Sequence, residues 1–141
     1  MVAKFTVTKS AVRPLPRETT LADLSSLRIR QRVVTTGVVV VSVAGEIDLA
    51  TVDGLREGLA PHLADPVTRL LVCDLSQVGF LACSGLSALL DVRSELEERG
   101  SRFAVVANSP AVLRPVTITG LVDVLTVRPT LSAVLRQSIV E

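Results

Sequence analysis

Residues 70–86 read LLVCDLSQVGFLACSGL, and this segment joins two secondary-structure patterns. Leu70–Cys73 is a short continuous apolar run, which is typical of a parallel strand covered by helices on both faces. From Ser84 to Arg99 the leucines recur at helical spacing and the glutamates fall on the opposite side, as in an amphipathic helix. The segment therefore predicts a central strand followed by a helix that ends at Arg99-Gly100.

The residues before this segment predict a hairpin and another helix. A partly exposed strand from Leu27, a turn at residues 35–37 and a buried strand over Val38–Ala44 form the hairpin. A helical repeat follows, with Thr51 or Asp48 as its cap. Its apolar stripe consists of Val52, Leu55, Leu59 and Leu63.

The residues after Gly100 continue the alternation of strand and helix. Phe103–Ala107 predicts a buried strand, and Ser109-Pro110 predicts a helix cap followed by proline at the first helical position. Pro115 should bend or shorten that helix because proline lacks a backbone donor. After Gly120 the pattern predicts a last short strand over Val124–Val127 and a final helix. The stripe of the final helix consists of Leu131, Val134, Leu135 and Ile139.

These elements predict one α/β domain over residues 27–141. Its mixed sheet has four to five strands, is covered by about four helices and is entered through the N-terminal hairpin. Residues 1–26 are predicted to be a flexible extension, in which Lys4–Thr8 could form a short strand. We interpret this basic extension as a solvated tail in preference to a partner-binding arm.

Composition excludes several classes of partner. A formal charge of +1 and only three aromatic residues argue against nucleic-acid binding. The apolar run at Val38–Val41 is far shorter than the ~20 residues of a membrane helix. With no apolar stretch of signal-peptide length we expect the cytoplasm, where Cys73 and Cys83 would be free thiols.

The sequence lacks the common catalytic and metal-binding patterns. His62 is the single histidine, so no zinc-type ligand set is present. There is no G-x-S-x-G, phosphate-binding loop or dinucleotide fingerprint, and a C-x5-R phosphatase signature fails because residue 89 is Leu89. We therefore predict neither an enzyme nor a resident metal or cofactor.

The segment 74–86 resembles the signature of the STAS domain family. In that family the pattern is Asp-Leu-Ser, a variable residue, an aliphatic, a variable residue, an aromatic and an aliphatic, then Asp-Ser-Ser-Gly-Leu. Two further stretches agree, Gly45–Asp48 and Ser109–Val112 with residues 119–121. The resemblance covers Leu27 to Ile139.

This resemblance implies an anti-sigma factor antagonist, which binds a kinase-type anti-sigma factor and frees the sigma factor that it holds. In such proteins phosphorylation of a serine at the start of the second helix abolishes binding. The acidic residue and the phosphoacceptor of the family correspond here to Ala82 and Cys83, so the usual switch should be absent. Ser84 is a fallback acceptor, or simply an N-cap or small helix-start residue.

The partner-binding candidates are therefore Asp48, Ala82, Cys83, Ser84 and Gly85. Asp48 is equally a helix cap, and Cys83 is either an inert replacement for serine or a redox-sensitive thiol. Cys73 is interpreted as a buried hydrophobe. Two other functions stay open: an accessory or scaffold subunit of a transporter or sensory complex, and a thiol-dependent enzyme. The sequence leaves the oligomeric state open.

Overall fold

The computed structural model describes residues 27–140, with side chains to Gln137. Its described strands are β1 (Leu27–Thr35), β2 (Val38–Ile47), β3 (Leu70–Leu81), β4 (Arg102–Val106) and β5 (Val127–Arg128). Its described helices are α1 (Val52–Ala64), α2 (Cys83–Glu98), α3 (Pro110–Ile118) and α4 (Leu131–Val140). The predicted extension over 1–26, with its strand at Lys4–Thr8, and the side chain of Ile139 lie outside this range.

The five strands form one mixed sheet in the order β1-β2-β3-β4-β5. β1 and β2 are antiparallel, and the remaining neighbours are parallel. The predicted entry hairpin and the mixed α/β sheet are thus confirmed. Gly37 at the hairpin turn has a φ of 81°, a conformation that glycine adopts without a side-chain clash.

The sheet lies between two apolar layers. Leu71, Cys73 and Leu75 of β3 face the main core, which α1, α2 and α3 complete. Leu70 and Val72 face a smaller core that includes Val134 of α4. The continuous apolar run at the start of β3 therefore does mark a strand that is buried on both faces, as predicted.

Several boundaries differ from the predictions. β2 extends to Ile47 and β3 extends to Leu81, well beyond the apolar runs that identified them. The last strand is Val127–Arg128 rather than Val124–Val127. α3 continues for three residues beyond Pro115 but is only nine residues long, so it is short without ending at the proline.

Two bulges in β3 explain why the sequence pattern understated this strand. The pairing with β2 advances from Ser42↔Asp74 to Ala44↔Gln77, and again from Gly45↔Val78 to Glu46↔Phe80. At each step β3 gains one residue relative to β2, which reverses the face that the following side chains occupy. Strict alternation is lost, so period-two analysis does not detect the second half of β3.

Arg99 joins the C-terminal ends of α1 and α2. Its guanidinium donates hydrogen bonds to the backbone oxygens of His62, Thr68 and Asp65, at 3.0, 2.9 and 2.7 Å. These include carbonyls near the end of α1 that the helix itself leaves unpaired. The residue that the sequence identified as the end of α2 therefore also holds the end of α1.

His62 is a buried titratable group beside this junction. It is 8% exposed, and its Nε2 lies 2.8 Å from Oε1 of Gln31 on β1. Burial lowers the pKa of His62 below its usual 6.5, and Asp65 opposes this with a smaller effect. The folded protein therefore favours the neutral imidazole.

We predict that acid destabilises the protein through His62. In the unfolded chain this residue binds a proton as the pH falls below about 6.5, while the folded state resists protonation. The free energy of unfolding should fall with decreasing pH between about pH 6.5 and 5, by at most about 1.4 kcal/mol per pH unit. Urea titrations across this range measure it, and His62→Leu should flatten the dependence. An unchanged slope in that variant would contradict the assignment.

Candidate functional site

The sequence-predicted site residues meet at the carboxyl ends of β2 and β3. Ile47 and Leu81 are paired at these ends, and the backbone N–H of Ala82 donates a 2.9 Å hydrogen bond to the oxygen of Ile47. The loop after β2 and the first turn of α2 are therefore neighbours. We refer to residues 48–51 together with 80–85 as the carboxyl edge.

Asp48 organises the loop that enters α1. Its Oδ1 accepts hydrogen bonds from the backbone N–H groups of Ala50 and Thr51, at 3.0 and 3.1 Å. Thr51 is the N-cap residue, but its hydroxyl accepts from the N–H of Asp48 and donates to the oxygen of Glu46. The predicted N-cap position of Thr51 is confirmed, whereas neither side chain caps the first-turn amides of α1.

The first turn of α2 has no side-chain cap. Ala82 occupies the N-cap position and Cys83 is the first helical residue, so the prediction of Ser84 as an N-cap was wrong. The Oγ of Ser84 is buried and has no hydrogen-bond partner. Ser84 is a small helix-start residue whose hydroxyl points away from solvent, whereas the side chain of Cys83 is exposed.

The two cysteines have different environments. Cys73 is fully buried in the main core, and burial, with a smaller effect from Asp74, raises the pKa of its thiol to about 12. That thiol is therefore a poor nucleophile at neutral pH. Both cysteines are free.

Gly85 allows α2 to approach the strand ends closely. A Cβ built on this buried residue would lie 2.6 Å from Cγ2 of Ile47 and 2.6 Å from Cδ1 of Leu81. Both neighbours are themselves buried. The absence of a side chain at Gly85 therefore determines how near Cys83 lies to the loop of Asp48.

Two exposed apolar side chains border the carboxyl edge, and the sequence analysis did not identify either as a binding residue. Leu49 is 82% exposed and Phe80 is 49% exposed. Phe80 follows the second bulge of β3, so its outward direction could not be inferred from strand alternation. Leu49 stands within the loop that Asp48 closes, beside a motif that the analysis had noted without inspecting the next residue.

The residues that the structure describes contain no group of three or more His, Cys, Asp and Glu side chains that could hold a metal ion. His62 lies near the C-terminal end of α1, about 15 Å along the helix axis from the end that meets the carboxyl edge. The imidazole is therefore remote from the exposed thiol. The edge presents an apolar and hydrogen-bonding surface, which suits protein binding.

Between residues 27 and 140, none of the helices has the length and apolar character needed to cross a bilayer.

The sheet order and the arrangement of the carboxyl edge define a STAS domain. The family model of the STAS domain matches residues 30–134, and the chain belongs to this family.

The chain is similar to particular anti-sigma factor antagonists. It is 41% identical over 85 residues to the anti-sigma-F factor antagonist RsfB of Mycobacterium tuberculosis, which covers 60% of this chain and 68% of RsfB. It is 32% identical over 85 residues to the anti-sigma-B factor antagonist of Bacillus subtilis, covering 60% and 76%. The crystal structure of an anti-sigma factor antagonist from Mycobacterium paratuberculosis superposes with a TM-score of 0.73 at 37% identity, covering 80% of this chain and 94% of that one.

We predict that Gly85→Ala destabilises the fold by about 1–2 kcal/mol, because the added methyl group overpacks the contact with Ile47 and Leu81. Gly54→Ala is the matched control, since Gly54 holds the same position in the first turn of α1 and its added Cβ would meet only Leu27 Cδ1 at 3.8 Å. That control should be stabilised by up to about 1 kcal/mol through helix propensity. Chemical denaturation measures both, and equal stabilisation of the two variants would contradict the packing argument.

Proposed function

We propose that this protein is an anti-sigma factor antagonist: it binds a kinase-type anti-sigma factor through the carboxyl edge and thereby frees a sigma factor. The observation that carries the proposal is the similarity to RsfB, at 41% identity, together with the exposed surface formed by Asp48, Leu49, Phe80 and Cys83. The identity of the partner as a kinase is part of the proposal.

The chemistry of the carboxyl edge supports this role. Leu49 and Phe80 offer apolar area whose burial in an interface is favourable, at roughly 25 cal/mol per Å². Asp48 has one carboxylate oxygen in the loop contacts, and no contact is assigned to the other, Oδ2, which is free to accept a donor from a partner. A rigid loop beside a helix start gives such a surface a fixed shape before binding, which limits the entropy lost on association.

We further propose that binding does not respond to a kinase. A phosphate at the start of α2 would add about 1.5 to 2 negative charges to this surface and would disrupt an apolar contact by desolvation and repulsion. The thiol of Cys83 stands where the family has its acceptor hydroxyl. The neighbouring hydroxyl of Ser84 is buried, so a kinase would have to open the first turn of α2 to reach it.

The first prediction from this proposal concerns ATP. The wild-type protein and Cys83→Ala should bind the anti-sigma factor equally with and without ATP. Cys83→Ser, combined with Ala82→Asp to restore the acidic residue of the family pattern, should be phosphorylated and lose at least about tenfold in affinity, or about 1.4 kcal/mol. Calorimetric titration with each protein, with mass spectrometry to locate the phosphate, provides the measurement.

Two results would count against this proposal. If no variant binds the anti-sigma factor, the antagonist function is wrong for the tested partner. If wild type releases its partner in ATP and the phosphate maps to Ser84, binding is switched after all, through local opening of α2.

The second prediction concerns oxidation of Cys83. Peroxide converts an exposed thiolate to a sulfenic acid, with the peroxide reduced to water, and so places a larger polar group in the proposed interface. Mild peroxide should therefore weaken binding of the wild type and leave Cys83→Ala unaffected, while dithiothreitol restores the wild type. Cys73 is buried and should stay unmodified in both proteins. Equal binding before and after oxidation of Cys83 would show that the thiol is an inert replacement for serine.

A further inference from the structure

β1 is an edge strand with one side open. It stands at the end of the sheet order and pairs only with β2 among the described strands. Residues 30–35 of β1 are exposed apart from their backbone pairing with β2. An edge of this kind presents unpaired N–H and C=O groups that can accept an additional strand.

One face of this edge carries a row of arginines. Arg28, Arg30 and Arg32 pair across from Ala44, Ser42 and Val40, which places all three on the sheet face opposite the main core. All three are exposed. Within residues 27–140, Arg30 and Arg32 have neither an ion pair nor a side-chain hydrogen bond.

The charge of the chain is unevenly distributed along its length. The first 32 residues contain seven of the 15 Lys and Arg but only two of the 14 Asp and Glu. The remaining residues are therefore net acidic, although the whole chain is nearly neutral. A local excess of one sign attracts a partner of the opposite sign even when the total charge is small.

The geometry of β1 restricts the kind of acidic partner that fits. Side chains on one face of a strand repeat about every 6.7 Å, and an added strand has the same repeat. Carboxylates at alternate positions of such a strand would stand opposite Arg30 and Arg32. On the other face α1 covers Ile29, because Gly58 brings the helix close to it, whereas Val33 remains 69% exposed.

We infer that the open edge of β1 is a second docking site, separate from the carboxyl edge, for an extended segment of another protein with carboxylates at alternate positions and apolar or β-branched residues between them. The segment adds to the sheet as a sixth strand. Its backbone hydrogen bonds supply affinity and the guanidinium row selects its charge pattern. This site does not depend on the antagonist function.

The test uses the full-length, nitrogen-15-labelled protein and a capped octapeptide that alternates glutamate with valine and threonine. Titration followed by NMR should shift the backbone amides of residues 28–34 most. Arg30→Glu with Arg32→Glu should weaken binding by at least about tenfold. Arg114→Glu with Arg136→Glu makes the same change of net charge at exposed helix positions and should leave the affinity within about twofold.

Three further probes decide between explanations. A peptide with glutamine in place of glutamate, and one with a methylated backbone, should both fail to bind if charge and strand pairing are each required. Shifts confined to residues outside β1, or no shifts at saturating peptide, would overturn the proposal and leave the arginines as guards against edge-to-edge aggregation. Tighter binding of a short DNA duplex than of the peptide would overturn it in favour of a nucleic-acid surface. Retention of anti-sigma factor binding by the Arg30/Arg32 variant would separate this site from the carboxyl edge.

Discussion

The close seating of α2 on the ends of β2 and β3 is the contact on which the carboxyl edge depends. It requires a residue without a side chain at Gly85 and a backbone hydrogen bond from Ala82 to Ile47. These two features set the start of the helix beside the loop of Asp48, although the two are separated by about 35 residues of chain. No side chain caps α2, so tertiary packing holds its first turn in place.

The opposite end of the domain is held differently. Arg99 donates to three backbone oxygens around the end of α1, and Ser101 donates to the oxygen of Thr68 at 2.9 Å. Hydrogen bonds from a charged donor contribute about 1.5–3 kcal/mol each when they replace unpaired carbonyls. The polar stabilisation is thus concentrated at the end remote from the carboxyl edge. Side chains at the carboxyl edge, such as Leu49 and Phe80, remain exposed for contacts outside the chain.

The sequence predicted the sheet because its strongest signal, the apolar run Leu70–Cys73, reflects burial on both faces and nothing else. It could not predict Phe80, because two bulges reverse the direction of side chains within β3 and a bulge depends on pairing with a distant strand. Ser84 shows a similar limit. Serine favours the N-cap position by local hydrogen bonding, but the helix start is fixed by the contact between Gly85 and the strand ends, which moves the cap to Ala82.

The replacement at residue 83 changes the chemistry of the carboxyl edge without changing its shape. A thiol and a hydroxyl are similar in size, and an exposed side chain at the first helical position is not part of the core, so packing places little restriction on the choice. The consequence is confined to reactivity: a hydroxyl can be esterified by phosphate, while a thiol can be oxidised. Because the backbone already fixes the loop and the helix start, the same binding surface can carry either kind of control. Regulation and recognition are therefore separable in this fold, with Gly85 and Ile47 serving recognition and residue 83 serving regulation.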